Sequence, residues 1–411
     1  MRRPSLTQWI FVAMAIGVAV GWAFPAGRVG FEGTDLRVFA TVFLRLIKAL
    51  VVPLVFSTVV VGIAGSGDEL RSMGRLAWRA LLLFTVLTGL ALLIGWGAGL
   101  VIRPGEGIAL PVTAGAAADM AARKLTISGV IEQAIPQSLA EAAARNDVLQ
   151  VLVFSLLFGA ALARVRAELR EPVVRVLEGV AETMFRFTGF VMAYAPIGIG
   201  AALAVTVSQS GIGVLRQLGV LILACYAALA VFILAVLLPL ALANRIPLRQ
   251  FLRAAREPSL IAFTAASSDA ALPQAMKALE GYGVPRRVVS FAMPVALSFN
   301  LTGSTLFVGL ATLFVAQAAG IPLSFVQQLA ILGTLMLTTK GIAAVPRASL
   351  VILTATLTTF GLPIEGVALI LAVDAFMDMA RTGTNMLSHC LATVVLGRWE
   401  ARDTQVVSSP R

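Results

Sequence analysis

The segment Leu371–His389 reads LAVDAFMDMARTGTNMLSH and lies within an otherwise apolar stretch. Asp374, Asp378, Arg381, Asn385 and His389 follow one another at helical spacing. At about 100° per residue their side chains share an arc of roughly 80°, with Leu, Ala, Phe, Met and Val on the other side. Ionisable groups inside a membrane-length apolar helix are costly, and they mark a substrate or ion site by default. An Asp–Arg pair that only joins two helices would need neither asparagine nor histidine on the same stripe. This stripe is the candidate site.

The remainder of the chain fits such a helix. Its 411 residues are 59% hydrophobic and 13% charged, the composition of a multi-span membrane protein. A formal charge of +11 would suit nucleic acid if it were pooled. Instead Arg2/Arg3, Arg71/Arg75/Arg79, Arg164/Arg166/Arg170 and Arg245/Arg249/Arg253/Arg256 mark alternate connections between apolar segments. This pattern is a topology signal, and it puts the N-terminus in the cytoplasm. Cys225 and Cys390 both lie in apolar segments, so neither a disulfide framework nor a metal cluster is expected. The N-terminal apolar run lacks a small-residue cleavage site and is read as the first span.

Spans are expected at about 6–24, 38–63, 76–102, 148–163, 172–208 and 214–243, with the long fifth one either tilted or extending into water. Trp9, Trp22, Trp78 and Trp96 sit near span ends, where interfacial aromatics belong. Residues 103–146 are richer in Ala, Gly and polar groups, and short re-entrant helices are expected there.

After Ala243 the pattern changes. One apolar arm stops at Ser267-Ser268-Asp269, and another stops at Thr338-Thr339-Lys340-Gly341 before resuming at Ala348. Arms of about 13–15 residues reach only about 20 Å, short of a hydrocarbon core of roughly 30 Å. They read as two re-entrant hairpins, which survive at membrane depth only where they line a cavity or are buried in protein. Each precedes one interrupted span. The first interrupted span is 288–316, broken at Ser298-Phe299-Asn300-Leu301-Thr302-Gly303; the second is 364–397, with the stripe. Hairpin plus interrupted helix, twice, is the pattern of an internal repeat in a secondary transporter.

With these residues in place the chain resembles the dicarboxylate/amino acid:cation symporter family, which includes the glutamate transporters. The resemblance rests on Phe43-Leu44-Arg45-Leu46-Ile47-Lys48 with Val51-Val52-Pro53-Leu54, and on Tyr194-Ala195-Pro196-Ile197-Gly198. It also rests on the Ser267-Ser268 tip, Asn300, and Asp378-Met379-Ala380-Arg381-Thr382 with Asn385. It implies an all-α polytopic membrane protein of eight transmembrane helices plus two re-entrant hairpins in inverted repeats. The fold would be a glutamate-transporter-like elevator, assembled as a homotrimer in the bacterial inner membrane with both termini cytoplasmic. Residues 1–75 and 103–210 would form the scaffold. Residues 76–102 and 211–400 would form the moving transport domain, and 401–411 a cytoplasmic tail. The hairpin around 338–348 would be the outer gate.

The chemistry of the residues agrees with that role. Arg381 offers a planar fork for a carboxylate, and Asp378 suits an α-ammonium group. Thr382 and Asn385 supply neutral hydrogen bonds. The hairpin tips, with Ser267 and Ser268 in one and Ala344, Val345 and Pro346 in the other, aim helix ends and backbone groups at the midplane. The ligand with two carboxylates and one ammonium is glutamate or aspartate. Relatives that carry C4 dicarboxylates tend not to have Asp where Asp378 stands.

Several positions depart from the family. Thr302 replaces a carboxylate that resembles a sodium ligand, and His389 lies where many sodium-coupled members carry an Asp. Imidazole is a poor donor for Na⁺, which prefers hard oxygens. Phe84 and Leu87 also replace oxygen-bearing residues. Candidate cation-coupling residues are therefore Asn300, Thr302, Asp374 and His389, with Na⁺ or H⁺ as the coupling cation and any sodium held near Asn300. His389, the only histidine, could carry a proton or be a neutral structural side chain. Arg347 and Asp269 could latch the two tips, contact an anionic substrate, or be solvated.

The expectation is a cation-coupled symporter of an acidic amino acid without a cofactor. C4-dicarboxylate symport is the nearer alternative, and a substrate-gated anion channel or sensor the more distant one. No nucleophile–base pair, metal cluster or phosphate loop points to an enzyme.

Overall fold

The structure is a computed structural model that describes residues 6–27, 30–65, 67–108, 110, 135–145, 148–340 and 348–408. Every regular element among them is helical. In chain order these are α1 (Leu6–Ala23), a 3₁₀ turn (Gly33–Leu36), α2 (Arg37–Gly65), α3 (Gly67–Ile102), α4 (Leu139–Ala144), α5 (Val148–Leu162) and α6 (Ala167–Ser210). They continue with α7 (Val214–Phe232), a π segment (Ile233–Leu237), α8 (Leu238–Ala243), α9 (Leu248–Ala265), α10 (Ser268–Tyr282), α11 (Arg286–Phe299) and α12 (Thr302–Ala318). The last are α13 (Phe325–Thr338), α14 (Ala348–Thr359) and α15 (Glu365–Ser408). The helices expected within 103–146 fall mostly outside the described residues, apart from α4.

Prolines explain where helices depart from straight. The two halves of α6, Ala167–Val191 and Ala193–Gln209, are bent by 48°. Pro196 lies four residues past the bend, where its ring meets the carbonyl of residue 192 and removes one backbone hydrogen bond. The length of this helix is thus accommodated at least in part by a bend. Pro239 stands in the same relation to the π segment at 233–237.

Two sets of helices pack internally. In one, α1 and α2 lie along α6, and α5 lies along α2. In the other, α3 packs on α12 and α7, while α9, α11 and α12 all pack on α15. The second set meets the first where α15 touches α6 and α14 touches α2 and α5. The core of the second set is nearly solid, with Phe307, Val308, Leu310, Ala311, Phe314 and Val315 of α12 all fully buried. Close approach of α3 to α12 depends on Gly95, since a Cβ there would collide with the backbone carbonyl of Leu306.

By length and composition, three helical stretches among the described residues can cross a membrane: Gly74–Ile102, Val214–Ala243 and Arg286–Ala318. The bent α6 pair makes a fourth. Helix α15 is not one of them, because Asp374, Asp378 and Arg381 interrupt its apolar content. Trp9, Trp22 and Trp78 are exposed, whereas Trp96 is buried. Its indole N–H donates to Gln328 Oε1 on α13 at 3.2 Å, which removes its need for an interfacial position. Helix α9 starts well before the apolar arm read from the sequence. Its first turns carry Arg249, Arg253 and Arg256, all exposed, so the helix begins in a polar setting and only its second half is apolar.

The α3–α12 contact gives a direct test. Gly95→Ala should cost about 1–3 kcal/mol of stability through backbone displacement, read as a lower thermal midpoint of the purified protein. A midpoint unchanged from the parent would mean that α3 and α12 are not packed backbone to backbone there.

Candidate functional site

The site is built where α15 passes the break between α11 and α12. Helix α11 ends at Phe299 and α12 begins at Thr302, leaving Asn300 and Leu301 outside helical geometry. A chain interrupted in this way exposes carbonyls at one helix end and N–H groups at the other. Leu301 occupies the N-cap of α12 and has no side-chain oxygen to offer. Asn385 of α15 does the work from 82 residues away: its Oδ1 accepts from Gly303 N at 2.7 Å and, at longer range, from Ser304 N at 3.4 Å. Its Nδ2 donates to Ser304 Oγ at 3.1 Å.

The approach that permits this is glycine-dependent. A Cβ on Gly303 would lie 2.5 Å from the carbonyl oxygen of Arg381, so only glycine brings the start of α12 against α15. The same contact places Phe307, one turn on, beneath Arg381. The guanidinium carbon stands 3.8 Å from the ring centroid.

Arg381 is fully buried and is the centre of the charge arrangement. Its Nη2 donates to Asp374 Oδ1 at 2.8 Å and to Asp378 Oδ1 at 2.7 Å. Asp374 is also fully buried, whereas the Asp378 side chain keeps 10% exposure. One nitrogen thus serves two carboxylates. Among the described residues, Nε and Nη1 have no hydrogen-bond partner. A buried guanidinium with two unused donor nitrogens is short of an acceptor, and a carboxylate is the group that matches its fork.

One turn further, the stripe meets the carbonyl side of the break. Asn300 Nδ2 donates to Ser388 Oγ at 3.1 Å. The His389 ring nitrogen Nε2 lies 3.1 Å from the backbone carbonyl of Asn300. A carbonyl only accepts, so Nε2 carries the proton in this contact. Among the described residues His389 Nδ1, Asn300 Oδ1 and Thr302 Oγ1 have no partner, and all three residues are fully buried.

The first hairpin reaches the stripe through α9. Phe263 and Ser259 lie beside Gly383, and Ser267 and Ser268 follow about one turn later. At the tip, Ala266 takes a left-handed conformation (φ 48°), Ser267 caps α10 by accepting from Ala270 N at 3.4 Å, and Ser268 is buried. Asp269 is exposed. Thr382 is buried beside Arg381 on α15. Ala344, Val345, Pro346 and Arg347 lie outside the described residues. Lys340, just before them, reaches α3 and α11 with its ammonium group.

Asp374, Asp378, Arg381, Asn385, Asn300, Thr302 and His389 are thus brought together around one helix break. Sequence reasoning missed Gly303, Ser304, Ser388, Phe307 and Lys340. Ser388 had a usable signal, since it lies three residues past Asn385 and so near the same face. Phe307 had none, because an aromatic in a buried helix is indistinguishable from core.

Comparison with known proteins fits this geometry. The sequence profile of the sodium:dicarboxylate symporter family matches residues 6–399. The chain is 36% identical over 408 residues to a proton/sodium-glutamate symport protein of Geobacillus stearothermophilus, covering 98% of this chain and 96% of that one. It is 41% identical over 405 residues to a C4-dicarboxylate transport protein of Anaeromyxobacter sp. (strain K), covering 96% and 90%. It is 39% identical over 409 residues to a proton/glutamate-aspartate symporter of Escherichia coli (strain K12), covering 96% and 93%. With a polar stripe set against a broken helix and a family match along nearly its whole length, this chain belongs to the sodium:dicarboxylate symporter family.

Proposed function

We propose that this membrane protein is a secondary active symporter that imports glutamate or aspartate with a cation. The observation that carries the reading is Arg381, buried with Nε and Nη1 unpartnered among the described residues. A substrate side-chain carboxylate would take those donors. The Asp378 carboxylate, the more exposed of the two on Nη2, is then placed to receive an ammonium group. Asp374 stays behind as the permanent counter-ion. The substrate thus completes a charge set that is already buried, which lowers the desolvation cost of taking a zwitterion out of water. Ser267, Ser268, Thr382 and Asn385, with Ala344, Val345 and Pro346 of the second tip, complete the proposed binding site.

Eight spans (α1, α2, α3, α5, α6, α7–α8, α11–α12 and α15) with the hairpins α9–α10 and α13–α14 account for every long element. The packing supports a division into a scaffold of α1, α2, α5 and α6 and a transport domain of α3 and α7 to α15. The second unit would move as one body past the first, an elevator motion gated by the α13–α14 hairpin. A homotrimer held through the scaffold, the bacterial inner membrane and cytoplasmic termini follow from the resemblance and from the alternating basic connections. Asp269, being exposed, favours a solvated tip charge over a latch with Arg347.

His389 is proposed as a site of proton coupling. Its imidazole joins the α11 break to the stripe, so a change in its charge would act where Asn300 and Thr302 sit. Glutamine at this position can still donate to the Asn300 carbonyl but cannot take a second proton. In proteoliposomes, His389→Gln should lose uptake driven by a pH gradient and retain substrate exchange. Uptake at the parent rate under a pH gradient alone would remove the proton role.

Arg381→Lys keeps the charge that balances Asp374 and Asp378 but loses the fork, so affinity for L-aspartate should fall by roughly 10- to 100-fold. An unchanged affinity would mean that the substrate does not meet Arg381. C4-dicarboxylate transport is the second reading, favoured by the relative that is named for it. Succinate that competes with aspartate as well as unlabelled aspartate does would promote it; weak competition would leave the ammonium contact with Asp378 as the discriminator.

A further inference from the structure

Lys340 ends the first arm of the α13–α14 hairpin, two residues past the close of α13, and its side chain is partly buried. Its ammonium donates to the Phe84 carbonyl at 3.2 Å, to the Phe299 carbonyl at 3.0 Å, and to Thr88 Oγ1. Three N–H donors meet three oxygens, and none of these oxygens belongs to a carboxylate. The Phe299 carbonyl belongs to the last turn of α11. The N–H four residues on, that of Gly303, is given to Asn385 instead, so this carbonyl lacks its helical partner. It also stands at the negative end of the α11 dipole. Carbonyls from a broken helix end, joined by a hydroxyl and a second carbonyl, form a donor set that suits a bare monovalent cation as well as an ammonium.

We propose that the Lys340 ammonium is a tethered cation. It fills a monovalent-cation site made by Phe84 O, Thr88 Oγ1 and Phe299 O, in place of a free Na⁺, when the α13–α14 hairpin closes. The tether matters because the charge belongs to the hairpin while the oxygens belong to α3 and α11. Opening the hairpin withdraws the cation, and closing it delivers one. This cage therefore draws no Na⁺ from solution. The inference rests on the reading of α13–α14 as the gate, and it assigns to that gate a charge it carries with it. A lysine that merely clamped the end of α11 would fill the same oxygens, but its removal would not create a site selective for a small cation.

The test uses the purified full-length protein and two variants, Lys340→Ala, which vacates the cage, and Lys340→Gln, which keeps a neutral donor and the side-chain length. Thermal midpoints are measured in NaCl, LiCl and choline chloride at equal ionic strength, and L-aspartate binding is measured in NaCl and choline chloride. The parent, with the cage already filled, should respond to the choice of salt less than either variant does. Both variants should lose affinity by roughly tenfold or more in choline and regain most of it in Na⁺, as expected for loss of hydrogen bonds to a charged group. Their midpoints should rise in Na⁺ or Li⁺ relative to choline. A variant recoverable from cells only when purified in Na⁺ supports the proposal in the same way. The proposal is overturned if the variants respond to Na⁺ no more than the parent, or if Lys340→Gln matches the parent in choline. If the parent binds no aspartate in any salt, the substrate reading fails, while the salt dependence of the midpoints still decides the role of Lys340.

Discussion

Everything near the site depends on one constraint: a helix broken at membrane depth must have its freed backbone groups satisfied by protein. The α11–α12 break leaves donors at Gly303 and Ser304 and acceptors at Phe299 and Asn300. Asn385 takes the donors, while Lys340 and His389 take the acceptors. Three different side chains, from two elements remote in sequence, thus hold one discontinuity open. Without them the cheapest arrangement for α11 and α12 would be one continuous helix, and the stripe on α15 would face a solid wall.

The charges of the stripe are arranged on the same principle. Two carboxylates around one guanidinium leave a net negative charge in a buried setting, which is tolerable because Arg381 also rests on the Phe307 ring and Asp378 keeps some exposure. Among the described residues the arginine is held through hydrogen bonds from one of its nitrogens only. This orients the fork while leaving part of it free of the aspartates, a preorganised state rather than a collapsed ion pair.

Much of this was legible beforehand because helical spacing fixes which residues of one helix share a face. The stripe from Asp374 to His389, the break at Asn300 and the first hairpin tip all follow from periodicity and from where it stops. What one helix meets is not encoded in its own periodicity. Asn385 read as a ligand donor, and its periodicity gave no sign that its oxygen and one of its N–H groups would also cap the start of α12. Trp96 read as interfacial, because no local feature of α3 reveals the acceptor that Gln328 provides from 232 residues away. Lys340 read as one more polar residue at a tip, since a cage formed by two main-chain carbonyls leaves almost no mark in a sequence. Side chains from distant segments that serve backbone groups are the part of a membrane fold least visible from composition.

The capping of α12 by Asn385 has a consequence for how the chain is made. The two partners are 82 residues apart, and the capping residue comes second. At translation rates of about 5–20 residues per second, α12 emerges several seconds before its cap exists. During that interval the N–H groups of Gly303 and Ser304 can close a continuous helix onto the carbonyls of Phe299 and Asn300, or be met by water, lipid headgroups or the insertion machinery. The break between α11 and α12 is therefore completed only when α15 arrives. Biogenesis of this protein has its commitment step near the C-terminus, and a chain truncated before Asn385 would leave most of its helices synthesised and its central discontinuity unsupported.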